Sequence, residues 1–132
     1  MLLLKELNKT LQKRINNSKH YKDLLNNMSD KIVLPNENNN KFVRHTFHRY
    51  IILCKKKRNK LFKYLIENGI DVKIHYPKDL HEQKPYKKFY KNDLFNIVRL
   101  SEQVLSLPIS ETLKYREIKL ICKKINYFLS KK

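Results

Sequence analysis

Five histidines are the side chains of this sequence best suited to chemistry, and their spacing decides what each can do. His45 and His48 stand three apart in a stretch that reads as a strand. There they point to opposite faces and share no ligand. His20 falls on the polar side of a helical pattern and reads as solvated. His75 and His81 differ, because Tyr76-Pro77 turns the chain between them and the segment carries Lys78 as well. Two imidazoles and a phenol at the mouth of a sheet are good hydrogen-bonding partners for sugar hydroxyls and phosphate oxygens. On residue types alone an ordinary loop whose rings cover the core edge is the commoner arrangement. No serine or cysteine has an evident base and orienting acid. The few carboxylates show no pairing of the kind glycosidase or metal chemistry uses.

The elements that must position these residues are read from apolar periodicity. Leu4, Leu7, Leu11 and Ile15, continued by Leu24, Leu25 and Met28, predict a helix of roughly 37 Å at 1.5 Å per residue. That exceeds the radius of gyration of about 14 Å expected for a chain of this size, so the helix is expected to lie against something outside this chain. Pro35 and the asparagine-rich run to Asn40 make a loop, after which Phe42 to Cys54 reads as a strand with a central, covered end. Lys55 to Arg58 turns into a helix over 58–68, which Gly69 stops in a left-handed cap with Ile70 as its apolar partner. Ile70, Val72 and Ile74 alternate with polar residues as a half-buried strand. Asn92 or Asp93 caps a helix carrying Leu94, Ile97 and Val98. Residues 104–107 are a short extended segment, and Ile118, Ile121, Cys122, Ile125, Phe128 and Leu129 stripe a final helix. The fold class is α+β: about three strands, at 42–54, 70–75 and 104–107, covered by helices.

Composition narrows the function classes. At 132 residues one core is expected, and a single glycine excludes glycine-rich phosphate loops. The formal charge of +18 comes from 24 Lys and only 6 Arg, spread from Lys5 to Lys132 in a chain without alanine. Such usage matches AT-rich codons. A nucleic-acid reader would concentrate arginine and interleave exposed aromatics. A basic module that adheres to nucleic acid or another polyanion is therefore the alternative function, and no specific nucleic acid is expected as partner. The apolar run Met1–Leu4 is too short for a signal peptide, and no stretch is long enough to span a bilayer, so a cytoplasmic protein without membrane partners is expected. Cys54 and Cys122 form no metal or redox motif.

Several motifs in order resemble the C-terminal part of the DegT/DnrJ/StrS family, PLP-dependent aminotransferases of nucleotide-linked keto sugars. Arg14 and Tyr21, seven apart with Leu25 four further, resemble its linking helix. His45-Thr46-Phe47-His48-Arg49-Tyr50-Ile51-Ile52 resembles "H-x-x-H-x-Y-x-I". Arg58 through Asn68-Gly69-Ile70 resembles the following helix and cap. His75-Tyr76-Pro77-Lys78-Asp79-Leu80-His81-Glu82-Gln83 is close to "H-Y-P-x-P-L-H-x-Q", with Asp79 where proline is usual. Ser101-Glu102 followed by Leu105-Ser106-Leu107-Pro108 resembles "A-E…L-S-L-P". The resemblance divides the chain into a linking helix over 1–30 and a C-terminal small domain over 31–132, without the N-terminal PLP-binding large domain.

What the resemblance implies follows residue by residue. His75, Tyr76 and His81 inherit contacts to a nucleotide-sugar substrate, with His45 and Tyr50 as weaker candidates standing behind those contacts, and the charge of Lys78 suits a diphosphate. The Schiff-base lysine belongs to the large domain, so PLP is the family's cofactor and none is expected on this chain alone. The implied role is a fragment or split subunit in surface polysaccharide biosynthesis. It would give substrate contacts and a dimer surface, with a large-domain partner or a second copy as its companion.

Overall fold

The computed structural model describes residues 2–36, 44–88 and 99–131. Helix α1 spans Leu2–Leu25 and runs on as a tighter turn over Asn26–Met28. Strand β1 is Ile32–Val33, β2 is Tyr50–Cys54, and helix α2 is Arg58–Glu67. A single helical turn over Leu80–Glu82 leads into the short α3, Lys84–Lys87. Strand β3, Val104–Leu107, and helix α4, Tyr115–Ser130, complete the described elements.

The sheet is antiparallel in the order β1-β2-β3, with Ile32 opposite Cys54 and Ile52 opposite Leu105. β2 is central, as its apolar faces predict. Tyr50, Ile52 and Cys54 are buried while Ile51 and Leu53 are partly covered. Helices α1, α2 and α4 pack on the sheet around Tyr21, Leu25, Leu61, Leu65, Ile118, Ile121 and Ile125. The α+β class holds; two strand assignments do not. Of the strand expected over 42–54, residues 42–43 lie outside the described residues and 44–49 are not strand; β2 begins at Tyr50, because Phe47 adopts φ 47° and its N–H is taken by the His45 ring. A residue turned left-handed there cannot continue a ladder. The third strand is β1 and not 70–75, which meets the sheet through one bridge, Lys73 to Ser106. Ile70 and Val72 are nonetheless buried between exposed Asp71 and Lys73, so the alternation was real while the pairing was brief. The helix expected from Asn92 or Asp93 lies mostly outside the described residues, although 99–101 are helical.

Gly69 ends α2 as its spacing predicts. Its φ is +74°, and the Ile70 N–H reaches back to the Leu65 carbonyl at 3.0 Å. At the other end of the core, α1 grips the loop after β3 with three side chains on one face. Arg14 donates to Glu111 at 2.9 Å, Asn17 to the Ser110 carbonyl at 2.9 Å, and the Tyr21 hydroxyl to the Pro108 carbonyl at 2.8 Å. Residues seven apart return to the same face after two turns, so Arg14 and Tyr21 can act on one loop.

Candidate functional site

The segment after α2 carries the candidate site. Lys73 and Ser106 exchange backbone hydrogen bonds at 3.1 and 2.8 Å, which fixes the chain beside β3 two residues before His75. Ser106 lies in an otherwise apolar strand, and its Oγ shares a hydrogen bond of 2.9 Å with His75 Nδ1. One nitrogen of the imidazole is thus held by the sheet, leaving Nε2 for another partner. The His75–Tyr76 peptide bond is cis. The two rings meet edge to face at 5.8 Å, and the Arg49 guanidinium lies over the Tyr76 ring at 5.6 Å from its centre.

His75, Tyr76, Lys78, Asp79, Gln83 and Ser101 line an open cleft of about 480 Å³. Partial burial lowers the proton affinity of His75, and the charges of Arg49, Lys73 and His48 lower it further. The imidazole is therefore held toward its neutral form, able to accept a proton or a hydrogen bond. Asp79 opens the turn over Leu80–Glu82, and its backbone N–H donates to the Glu82 carboxylate at 3.2 Å. Its Oδ2 is buried without a hydrogen-bond partner among the described residues.

The structure brings only part of the predicted set together. His75, Tyr76 and Lys78 share the cleft, with Tyr76 65% exposed. His81 sits partly buried in the turn after Asp79 and is not part of the lining. His45 is exposed, stacks on Phe47 at 4.0 Å and is occupied with its own loop. Tyr50 is 2% exposed and stacks on Tyr21 at 4.8 Å, which makes it a core residue with no face toward the cleft. Burial leaves Tyr50 able to act on the cleft only through the residues packed around it. Its hydroxyl position in the motif gave no sign of it, because a tyrosine reads alike in core and cleft. Sequence reasoning missed Ser106 and Arg49. Ser106 had a signal, a hydroxyl between two leucines of a strand; Arg49 had none.

A second cleft of about 410 Å³ gathers Lys31, Lys55, Lys56, Lys57 and Lys131 around Leu129. Lys31 donates to the Leu129 carbonyl and Lys55 to the Ser29 carbonyl, both at 2.8 Å. These ammonium groups serve chain ends where carbonyls lack partners, including the negative end of α4. Burial pushes the Cys54 and Cys122 thiols up to about 12, so neither offers a thiolate at neutral pH. Among the described residues there is no cluster able to hold a metal ion and no helix long and apolar enough to cross a membrane.

Comparison with known proteins gives a consistent result. Residues 2–126 match the model of the DegT/DnrJ/EryC1/StrS aminotransferase family. A dTDP-3-amino-3,6-dideoxy-alpha-D-galactopyranose transaminase of Aneurinibacillus thermoaerophilus is 29% identical over 84 residues, 64% of this chain and 23% of that protein. A pleiotropic regulatory protein of Geobacillus stearothermophilus is 30% identical over 103 residues, 76% of this chain and 27% of that one. The crystal structure of a DegT DnrJ EryC1 StrS aminotransferase from Brucella abortus superposes with a TM-score of 0.80 at 26% identity, covering 97% of this chain and 33% of that chain. The chain thus spans about a quarter to a third of the length of these relatives.

Proposed function

Because the chain belongs to the DegT/DnrJ/EryC1/StrS aminotransferase family, we propose that it serves as the C-terminal small domain of a sugar-nucleotide aminotransferase. In this reading residues 1–30 link the domain to a PLP-bearing large domain, and the cleft beside β3 contacts the nucleotide sugar. The observation that carries it is the hydrogen bond between His75 and Ser106. It joins the two most specific motifs of the sequence across one cleft.

The cofactor itself does not fit the described residues. PLP supplies the electron sink for amino transfer and needs an enclosed lysine amine to hold it. No lysine whose side chain is described is buried, and Lys78 is the cleft's single ammonium. The chain's own residues bind and orient. His75 presents Nε2 as donor or acceptor to a sugar hydroxyl. Tyr76 offers an exposed ring and phenol, and Gln83 adds an amide able to donate and accept. The companion in this reading is the large domain or a second copy. A surface polysaccharide pathway is the biosynthetic setting the resemblance suggests.

Chemical-shift mapping of the whole chain with dTDP-glucose tests the reading. Saturable shifts should concentrate in residues 73–83 and 99–106 and exceed those caused by glucose alone. Shifts scattered over the lysine-rich surface, equal for any polyphosphate, would instead return the polyanion-binding alternative.

A further inference from the structure

Three described arginines are partly buried: Arg14, Arg49 and Arg58. Two of them are satisfied. Arg14 meets the Glu111 carboxylate at 2.9 Å, and Arg58 donates to the Glu102 and Ser101 carbonyls at 2.8 and 3.2 Å. Among the described residues Arg49 donates no hydrogen bond and faces no carboxylate; its one contact of this kind is the Tyr76 ring. A guanidinium partly withdrawn from water without an acceptor bears part of the cost of burying a charge, and an anion that supplies the missing oxygens lowers it.

The geometry suits such an anion. A cation–π contact at 5.6 Å from the ring centre leaves the guanidinium N–H groups available to bind two oxygens at once. The ring beneath belongs to the exposed Tyr76, which lines the cleft with His75 and Lys78. Lys73 and His48 add positive charge at His75, although Lys73 also pairs with Asp71 at 3.5 Å. Asp79 is the acidic residue of the lining and repels an anion set against it.

We propose that Arg49, outside the cleft lining but over the ring of Tyr76, which lines it, is the anion-binding group at this cleft and takes the diphosphate of a nucleotide-sugar ligand, a role the sequence alone assigns to Lys78. The diphosphate identity rests on the function proposed above. Arg49 reaches the ligand from the entry of β2, a segment distant in sequence from the His75 loop. Diphosphate binding would therefore couple that segment to the loop.

Calorimetric titration of the full chain with inorganic pyrophosphate, dTDP and dTDP-glucose, at an ionic strength of about 0.15 M to screen the general surface charge, is the test. Arg49→Gln should weaken all three by about tenfold or more, as befits loss of a bidentate charged contact. Arg49→Lys should recover little, since an ammonium neither forks nor stacks in the same way. The surface control Lys119→Gln should stay within about twofold of the parent, the scale of a screened single charge, and Lys78→Gln should weaken binding less than Arg49→Gln does. Tyr76→Leu, at an exposed position, removes the platform and guards against a folding defect in the Arg49 variants; it too should weaken pyrophosphate. Equal affinity in Arg49→Gln and the parent, or no saturable pyrophosphate binding by the parent, overturns the assignment. Arg49-dependent pyrophosphate binding with no gain from dTDP-glucose keeps the anion site and removes the sugar-nucleotide reading. Tight dTDP-glucose binding indifferent to Arg49 does the reverse.

Discussion

His75 combines a fixed nitrogen, a free nitrogen and a surplus of nearby positive charge, and each has a measurable consequence. Partial burial, then Arg49, Lys73 and His48, lowers its proton affinity from the ordinary 6.5. The unfolded chain therefore binds this proton at a higher pH than the folded one. Folding stability from His75 is fully present above 6.5 and is lost as pH falls from there through the lowered folded value. Imidazole proton shifts should titrate below 6.5, and Arg49→Gln should move the midpoint upward. A midpoint at or above 6.5 in the parent would contradict the surroundings described for this ring. Arg49 and Ser106 act through geometry that single positions in a sequence do not announce, whereas His75 and Tyr76 were legible because motif and turn chemistry coincide there.

At the scale of elements, the end of α2 and the grip of α1 are the most exposed to test. A Cβ at Gly69 would meet nothing within 4 Å, so substitution there is opposed by backbone conformation alone. Gly69→Ala should cost about 1 kcal/mol in denaturant unfolding, the scale of the left-handed penalty, and Gly69→Asn less. A neutral Ala variant would mean that the cap does not hold that φ in solution. For α1, Tyr21→Phe keeps the stack on Tyr50 but strands the Pro108 carbonyl, at an expected cost of about 1–3 kcal/mol. Arg14→Met should cost less than about 1 kcal/mol, because the pair with Glu111 remains partly solvated. If Arg14→Met proves the worse of the two, the loop after β3 is held by charge and not by the buried phenol.

Over the whole molecule the core is lopsided. Tyr21 and Leu25 at one end of α1 are fully buried, while Leu4 and Leu7 at the other are 74% and 47% exposed. An exposed leucine forgoes about 1.5–3 kcal/mol of burial, so the outer turns of α1 gain little from this chain. Leu4→Lys and Leu7→Lys should therefore change stability by no more than about 0.5 kcal/mol, whereas Leu25→Lys should prevent folding. Amide exchange should slow progressively from Leu4 toward Tyr21. A loss above about 1 kcal/mol in Leu7→Lys would show that the outer turns are packed, in a second copy or otherwise.

Helix periods, the Gly69 stop, the alternation of Ile70, Val72 and Ile74, and the two-faced apolarity of β2 were all set by local sequence. Each depends on side-chain period or backbone preference within a few residues. Local pattern did not decide that Ile32–Val33 pairs with β2 in place of 70–75, because two apolar residues carry no period. Nor did it show that Phe47 turns out of the strand, since that φ is held by a hydrogen bond to His45. The candidate site divides along the same line. The sequence by itself determined that His75, Tyr76 and Lys78 share a loop. Only the tertiary structure sent Tyr50 into the core, set Ser106 against His75 and laid Arg49 over Tyr76, because those contacts join residues 27 to 31 positions apart and arise only once the sheet has assembled.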